Sequence, residues 1–509
     1  METVSATSTI VGRFWNQVRE RPNATALIIR SGESSERGQH QQLTWQQLAE
    51  KVAVACDYLE KADFQQGQVL ATWLPNGLAW IVLDLACQSA GVVHAAIDHR
   101  EPAAAHDQLL KTVAARGIAT PFRSDEELRF CFRNQEESPR SWKLDSKPQQ
   151  SRTWEPREVC QDATAQILFT SGSTGRVKAV RLGNRGLIRN ALSKLDAAPQ
   201  TEADLRINIL PFAHAYARTC ELSTWILSGG RLALARNWDD LVAMAKALRP
   251  TLLNCVPLLA KRIADLLELD PRALGGRLRL LQVGGAALPE RLWTRLSDLG
   301  LPPLCGYGLT ETGPVICSNR SGQQSFASVG PPVSGVDVRV DTDGQLWARS
   351  TAMMQGYLHI RDEGSKDGPL DHDGWLATGD LARIRSDGHV VILGRKSQQL
   401  ILSNGYTVDP ALIESRMLLS GRYKHCLVTA DGDASGLVAW VQYESPLVVD
   451  ETANQTFTAD VPAGDFSDLP RYAVPREVRE LPFDLDAGGS RWLTAKGTLR
   501  RKQLLEALQ

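Results

Sequence analysis

The strongest chemical signal in this sequence is a loop of glycine and hydroxyl residues that follows a short apolar strand. Ile167, Leu168 and Phe169 lead into Thr170-Ser171-Gly172-Ser173-Thr174-Gly175-Arg176-Val177-Lys178. Glycines allow backbone N–H groups to approach an anion, hydroxyls donate hydrogen bonds, and a lysine balances negative charge. The loop therefore predicts a polyphosphate-binding site.

The loop is also compatible with two other interpretations. In a P-loop the lysine directly follows the last glycine, whereas Lys178 stands three positions after Gly175. The P-loop pattern is therefore not met. Short Gly/Ser runs are common in surface turns as well, and the loop alone does not exclude a turn.

Further motifs of glycine, aromatic, acidic and basic residues follow in chain order. They are Gly284-Gly285-Ala286, Gly306-Tyr307-Gly308-Leu309-Thr310-Glu311, Thr378-Gly379-Asp380, Gly394-Arg395 and Lys496-Gly497-Thr498-Leu499-Arg500-Arg501. Each motif is weak alone, but in this order, and with the loop, they resemble the signatures of the adenylate-forming superfamily. That superfamily contains acyl-CoA synthetases, stand-alone adenylation domains and luciferases. The resemblance runs from about Phe14 to the last ten residues.

The resemblance implies a nucleotide site that is built from several of these motifs. Tyr307 would stack on adenine beside Gly306 and Gly308, with Gly284, Gly285 and Ala286 on the adenine side as well. Thr310 would donate to the α-phosphate, and Glu311 would bind Mg²⁺. Asp380 would accept from the ribose hydroxyls, and Arg395 would donate to the same sugar. Out of context, Asp380 would be a turn residue and Tyr307 a packing aromatic.

Two further residues are assigned to catalysis by the resemblance. Lys496 would place a mobile positive charge at the reacting phosphate, although a lysine among Arg500, Arg501 and Lys502 is more often on a solvated helix face. His214, within Leu210-Pro211-Phe212-Ala213-His214, lies where the family places a residue next to the substrate carboxylate. A Pro-Phe turn before a helix explains its position as well.

The elements that must position these residues alternate between helix and strand in the first half of the chain. Residues 69–74 and 91–97 are strand-like, and residues 80–90 between them have the pattern of a buried helix. This alternation predicts an α/β fold with mainly parallel strands. The polar residues 126–157 are interpreted as a surface excursion.

After Asp337 the pattern changes to short strands with turn residues between them, which predicts a small β-rich subdomain. A boundary at Gly394-Arg395 then separates a large adenylation domain, residues 1–394 in two stacked α/β subdomains plus this β-rich part, from an α+β lid, residues 395–509. The resemblance implies that the lid is mobile and rotates between two half-reactions.

Composition excludes several classes of protein. With 57 Lys and Arg against 58 Asp and Glu among 509 residues, the net charge of −1 does not favour a nucleic-acid-binding protein. Nine scattered cysteines without a C-x-x-C pair argue against a disulfide scaffold or a structural zinc site. No signal peptide or transmembrane run is evident, so we expect a cytoplasmic protein.

The reaction implied by the resemblance is the ATP-dependent activation of a carboxylic acid, a fatty or other hydrophobic acid, followed by transfer to CoA. Mg²⁺, ATP and CoA are the expected cofactor and co-substrates, and an acyl-carrier protein is an alternative acceptor. A stand-alone adenylation enzyme that loads a carrier protein or closes a β-lactone stays open. Ala179 and Lys396-Ser397-Gln398 depart from the family pattern, so a catalytically silent binding protein stays open too. The sequence does not determine the oligomeric state.

Overall fold

The computed structural model describes residues 9–30, 40–101, 103–124, 127–132, 140–143, 157–171, 177–358, 370–420, 422–443, 466, 469–485, 492–493 and 499–508. The chain divides into two compact units, one of residues 1–338 with 348–376 and one of residues 339–347 with 377–509. Among the described residues, no helix is both long enough and apolar enough to cross a membrane.

Two helices of the first unit show clear capping chemistry at one end. Before the second helix, the Thr44 side chain accepts from the N–H of Gln47, and the Gln47 side chain accepts from the N–H of Thr44. The third helix ends at Gly91, whose φ of 72° suits glycine. The helices are α1 (Ile10–Glu20), α2 (Trp45–Lys61), α3 (Leu78–Ala90), α4 (Ala103–Thr112), α5 (Asn184–Ala197), α6 (Ala215–Ala217), α7 (Thr224–Ser228), α8 (Trp238–Leu248), α9 (Pro257–Leu269) and α10 (Glu290–Asp298). A π-helical segment, Arg218–Ser223, joins α6 to α7.

Two eight-stranded sheets form the frame of this unit. Their strands are β1 (Thr25–Arg30), β2 (His40–Thr44), β3 (Val69–Leu74), β4 (Val93–Asp98), β5 (Gly117–Ser124), β6 (Glu127–Phe132), β7 (Arg140–Lys143), β8 (Thr164–Ser171), β9 (Val177–Gly183), β10 (Leu205–Asn208), β11 (Arg231–Leu234), β12 (Leu252–Cys255), β13 (Leu280–Val283), β14 (Leu304–Gly308), β15 (Val315–Ser318) and β18 (Tyr357–Leu358). The first sheet has the order β15-β14-β13-β12-β10-β11-β1-β2, and the second has the order β18-β9-β8-β4-β3-β5-β6-β7.

Parallel strands lie at the centre of both sheets. The parallel strands of the first sheet are β1, β10, β11, β12, β13 and β14. In the second sheet, β3 pairs in parallel with β4 and β5, and β4 also pairs in parallel with β8. Antiparallel strands flank these centres. The predicted α/β fold is confirmed.

The polar stretch that was predicted as a surface excursion is partly a continuation of the second sheet. Its β6 and β7 pair with each other, and β6 pairs with β5. Leu128, Phe130 and Trp142 are buried there, while Arg129 between two of them is exposed. An alternation of only a few residues inside a polar stretch is a weak sequence signal, which explains why the strands were missed.

A fully buried charged network links the second sheet to the π-helical segment. On α3, Asp84 accepts from His94 Nδ1 at 2.9 Å, from Arg218 Nη2 at 2.8 Å and from Gln88 Nε2 at 2.8 Å. Burial opposes the ionised carboxylate, but Arg218 and His94 outweigh it and lower the pKa of Asp84. His94 Nε2 also lies 2.7 Å from Thr72 Oγ1. The network joins helix, sheet and π-helical segment at one point.

Replacing Asp84 with Asn is expected to lower the free energy of unfolding by about 3–5 kcal/mol, because Arg218 would stay buried without its counter-charge. A group with a lowered folded pKa stabilises above its unfolded pKa of about 3.9, and this contribution is lost as the pH falls through the folded value. The difference between the two proteins in urea unfolding should therefore be constant down to about pH 5 and shrink below about pH 4. Asp63→Asn, at a side chain that is 78% exposed, should change stability by less than about 0.5 kcal/mol. A loss no larger than that in Asp84→Asn would contradict the prediction.

The second unit is smaller and contains most of the predicted β-rich part. Its strands are β16 (Val336–Val340), β17 (Gln345–Ser350), β19 (Leu376–Ile384), β20 (Val390–Arg395), β21 (Leu400–Ile401), β22 (Thr407–Val408), β23 (Tyr423–Ala430), β24 (Leu437–Tyr443) and β25 (Glu477–Glu480). The division between the units runs through β16, β17 and β19. They form sheets with the orders β16-β17-β19-β20, β21-β22 and β23-β24-β25. Its helices are α11 (Pro410–Leu419) and α12 (Arg501–Leu508). The predicted boundary at residue 394 stays a prediction, because compactness alone does not test which residues move together.

Candidate active site

The predicted phosphate loop connects two antiparallel strands. Thr170 on β8 and Lys178 on β9 are Cα partners, and Ser171 pairs with Val177. Cross-strand partners project to the same face of a sheet, so Lys178 lies beside Thr170 although three residues separate it from Gly175 in sequence. Gly172, Ser173, Thr174 and Gly175 lie outside the described residues. A strand after the loop, where a P-loop has a helix, agrees with the exclusion of the P-loop.

Lys178 is linked to Glu311 through a tyrosine that the sequence motifs did not include. The Nζ atom of Lys178 lies 4.8 Å from the ring centroid of Tyr357, and Tyr357 donates its hydroxyl hydrogen to Glu311 Oε1 at 2.8 Å. Burial, together with the Glu311 carboxylate, raises the pKa of Tyr357, so its hydroxyl stays protonated and remains a donor. The available signal was Gly356-Tyr357, an aromatic after glycine on a two-residue strand that pairs with β9.

The aromatic-glycine motif forms the end of β14 and the turn that follows it. Only glycine fits at position 308, because the Cβ atom of any other residue would lie 1.7 Å from the carbonyl oxygen of Pro314. The 3₁₀ turn Thr310–Thr312 then presents Thr310 and Glu311, and the carbonyl of Glu311 accepts from the N–H of Met354 at 2.8 Å. Both predicted residues therefore follow the carboxyl end of a strand, where ligands bind in open α/β sheets.

Gly284, Gly285 and Ala286 follow the neighbouring strand. Since β13 and β14 pair in parallel, with Val283 opposite Cys305, this turn and the one after β14 lie at the same edge of the first sheet. A Cβ atom on Gly284 would approach the Tyr216 ring to 3.0 Å, and Gly285 has a φ of 85°. The structure thus brings together two of the predicted nucleotide-binding segments.

His214 contacts two charged residues that the sequence motifs did not single out. Its Nε2 atom lies 2.9 Å from Asp98 Oδ2 and 3.1 Å from Arg100 Nη2. Arg100 also binds the Asp98 carboxylate with Nη2 at 2.6 Å and Nε at 3.0 Å. Burial opposes ionisation of Asp98, but hydrogen bonds from His214 and Arg100 outweigh it and hold its pKa well below the usual range. The available signal was an Asp-His-Arg sequence directly after the predicted strand β4.

Asp380 and Arg395, which lie in the second unit, bind each other. They are Cα partners on β19 and β20, with 2.9 Å between Arg395 Nε and Asp380 Oδ1. Arg395 Nη1 also donates to the Thr378 carbonyl at 3.2 Å. Asp380 is buried while the arginine side chain is 45% exposed. The Thr378-Gly379-Asp380 and Gly394-Arg395 motifs therefore form one local group. The remaining predicted residue of this part of the chain, Lys496, lies outside the described residues.

A change at Tyr357 tests whether this tyrosine orients Glu311. Tyr357→Phe should raise the Mg²⁺ concentration needed for half-maximal activity by about tenfold, because a hydrogen bond to a charged group contributes about 1.5–3 kcal/mol. The KM for the acid should not change. Tyr406→Phe, at an exposed tyrosine of the second unit, is the control. An unchanged Mg²⁺ requirement in Tyr357→Phe would mean that Tyr357 does not orient Glu311 for Mg²⁺.

Comparison with known proteins places this geometry in context. A family model described as AMP-binding enzyme matches residues 14–358. A 2-succinylbenzoate–CoA ligase of Bacillus cereus (strain AH820) is 25% identical over 96% of this chain and 97% of its own length. A feruloyl-CoA synthase of Amycolatopsis sp is 26% identical over 96% of this chain and 98% of its own length.

Among solved structures, o-succinylbenzoate CoA synthetase (MenE) from Bacillus subtilis, in complex with the acyl-adenylate intermediate OSB-AMP, superposes with a TM-score of 0.77. It is 21% identical, and the match covers 97% of both chains. At this identity the likeness establishes the fold.

Proposed function

Because this chain belongs to the AMP-binding enzyme family, we propose that it activates a hydrophobic carboxylic acid with ATP and transfers the acyl group to CoA. The observation that carries the proposal is the series Lys178, Tyr357 and Glu311 at the base of the phosphate loop. It joins a cation and an oriented carboxylate, which are the two charges that a magnesium-bound polyphosphate needs.

The reaction divides into two displacements. A carboxylate oxygen of the acid attacks the α-phosphorus of ATP, the bond from that phosphorus to the bridging oxygen breaks, and pyrophosphate leaves. The thiol of CoA then attacks the carbonyl carbon of the acyl-adenylate, its proton passes to solvent, and AMP leaves. Both steps require positioning and stabilisation of negative charge more than covalent participation by the enzyme.

The residues of this chain fit a magnesium ion that is bound jointly by a protein carboxylate and by the phosphates of ATP. Within the described part of the chain, no group of three or more His, Cys, Asp or Glu residues is placed to hold a metal. Mg²⁺ usually takes only one or two carboxylates and completes its shell with phosphate oxygens and water. Glu311 would hold it, and the ion would neutralise charge on the phosphate oxygens. Lys178 and Thr310 would contact the phosphates directly.

His214 would lie beside the attacking carboxylate. The hydrogen bond that His214 Nε2 donates to Asp98 sets the ring orientation before substrate arrives. Arg100 adds a positive charge next to the ring, which favours the approach of an anionic acid. Asp380 and Arg395, as an ion pair, would bind the ribose, and residues 395–509 would form the mobile lid that carries Lys496.

The second candidate, a catalytically silent relative, rests on departures such as Ala179. In the structure Ala179 is a fully buried residue of β9, packed with Ala71 and Ile167. A small side chain suits this site as well as glycine does, so the departure needs no loss of activity to explain it. A carrier protein in place of CoA remains the alternative acceptor.

Pyrophosphate exchange into ATP tests the proposal. Exchange that depends on an added carboxylic acid should be measurable across a panel of aromatic and fatty acids. CoA consumption, compared with acylation of a carrier protein, then identifies the acceptor. ATP binding without exchange for any acid would favour the silent relative and overturn the proposed activity.

A further inference from the structure

Three polar side chains are buried together next to the candidate active site. Asn254 on β12 and Gln282 on β13 are Cα partners in parallel strands, so they project from the same face of the first sheet. Glu221, on the π-helical segment, lies next to them, since Asn254 Nδ2 donates to the carbonyl of the preceding Cys220 at 3.0 Å. The three are 0–3% exposed. Central strands of such sheets are normally apolar, so these residues need an explanation.

Among the residues that the structure describes, the side-chain oxygens of this group have no hydrogen-bond donors. Asn254 Oδ1, Gln282 Oε1 and both carboxylate oxygens of Glu221 accept no hydrogen bond from any residue that the structure describes. We refer to Glu221, Asn254 and Gln282 as the acceptor patch. Buried acceptors are almost always paired in folded proteins, and leaving them unpaired costs stability.

The nearby arginine does not supply the missing donors. Arg206 Nη1 donates to the backbone carbonyl of Glu221 and to Thr224 Oγ1, both at 2.6 Å. It lies 3.9 Å from the Glu221 carboxylate, which is too far for a hydrogen bond. Burial raises the pKa of Glu221 to about 7, although the positive charge of Arg206 opposes the rise. A donor brought in by a ligand would therefore meet a carboxyl group that is otherwise poorly stabilised.

The acceptor patch adjoins the site through Tyr216 and Gly284. Tyr216, two residues after His214, lies against Gly284 and donates its hydroxyl hydrogen to the Gln282 carbonyl at 3.4 Å. Tyr216 also packs against an apolar cluster of Ala197, Cys220, Val315 and Val333. A substrate whose carboxylate lies at His214 would thus pass an apolar wall before it reaches the patch.

From this arrangement, and resting on the proposed function, we propose that the acceptor patch binds the far end of the acid, and that this acid carries a hydroxyl or amino donor there. The skeleton between the two ends is hydrophobic, as the wall requires. A site built to hydrogen-bond a substrate group discriminates strongly against the analogue that lacks it, because the buried partners are then left unpaired.

Matched acids provide the test. The kcat/KM for pyrophosphate release is measured with cinnamate, 4-hydroxycinnamate and 4-aminocinnamate, and with octanoate, 8-hydroxyoctanoate and 8-aminooctanoate. We expect at least a tenfold preference for a donor-bearing acid in one series, and the comparison of hydroxyl with amine identifies the donor. Equal values within both series would overturn the proposal while leaving the proposed function intact.

Gln282→Leu should bring the ratio of kcat/KM for the donor-bearing acid to kcat/KM for the matched acid without a donor close to one. The KM for ATP should not change. Gln166→Leu is the matched control: Gln166 is equally buried on β8, and its side-chain oxygen and nitrogen have no partner among the described residues either. It lies in the other sheet and should keep the wild-type preference. If Gln282→Leu does not fold, Glu221→Gln serves as the second variant. An unchanged preference in whichever variant folds would overturn the proposal.

Binding provides a readout that does not depend on turnover. If no acid is activated, the proposed function fails, and the acceptor patch is tested by the shift in melting temperature with the same acids. A shift that is larger with a donor-bearing acid and is lost in Gln282→Leu supports the patch. No difference between the acids means that the patch holds internal water only, and overturns the inference.

Discussion

Lys496→Ala is expected to slow acyl-adenylate formation by about 10²–10³-fold, since a positive charge would be removed from the position where negative charge gathers in the transition state. The same variant should convert a supplied acyl-adenylate and CoA to thioester at the wild-type rate. The prediction rests on the Lys496-Gly497-Thr498 motif, and the two half-reactions are followed separately by pyrophosphate exchange and by thioester formation. The split between them distinguishes a role in one step from a general loss of folding.

Lys502 offers a matched control for this experiment. It lies on α12 with a side chain that is 79% exposed, so Lys502→Ala removes a positive charge from the same region without removing the motif lysine. Its rates should stay within about twofold of wild type. Equal loss of both half-reactions in Lys496→Ala would refute the assigned role. Such a result would also remove the reason for placing Lys496 on a lid that moves between the steps.

The second large effect is expected at His214 and Asp98. His214→Ala should lower kcat/KM for the acid by about 10²-fold, and Asp98→Asn by about tenfold, because Asn keeps the shape but not the charge that orients the ring. The double variant should be no slower than His214→Ala alone, since Asp98 acts through the histidine. Steady-state kinetics with the acid as varied substrate measures all three.

The pH dependence of the Asp98 contribution follows from its lowered pKa. A carboxylate with a depressed pKa is ionised at every pH above its unfolded value of about 3.9, so the ionisation of Asp98 itself should add no pH dependence to the ratio of Asp98→Asn to wild type between about pH 6 and 8. His372→Ala is the control, because His372 is an exposed histidine outside this group of residues. Additive losses in the double variant would show that Asp98 does not act through His214.

The residues of the proposed site differ in how far sequence could predict them. Thr170, Lys178, Tyr307 and Glu311 were identified because each belongs to a contiguous motif. Tyr357 and Asp98 belong to no motif used here, and their relevance comes from contacts across 46 residues to Glu311 and across more than a hundred to His214. Such contacts depend on which strands become neighbours, which local patterns do not encode.

The acceptor patch illustrates the same limit. Asn254 and Gln282 each look like an isolated polar residue in an apolar strand, and nothing local indicates that they face each other. The parallel pairing of β12 with β13 makes them neighbours, and the π-helical segment brings Glu221 next to them. A hydrophobic acid is the expectation that sequence supports, and the proposal that this acid has a polar end comes from the folded chain.

The amino-acid sequence by itself determined the family of this protein and its α/β class, and it predicted which chemical groups would bind phosphate and magnesium. These depend on contiguous motifs and on periodic burial, which are local properties of a chain. Only the tertiary structure decided which groups meet: Lys178 with Tyr357, His214 with Asp98, and Asn254 with Gln282. The physical reason is that a hydrogen bond or an ion pair requires atoms within about 3 Å, and sheet pairing and packing of distant segments set that distance.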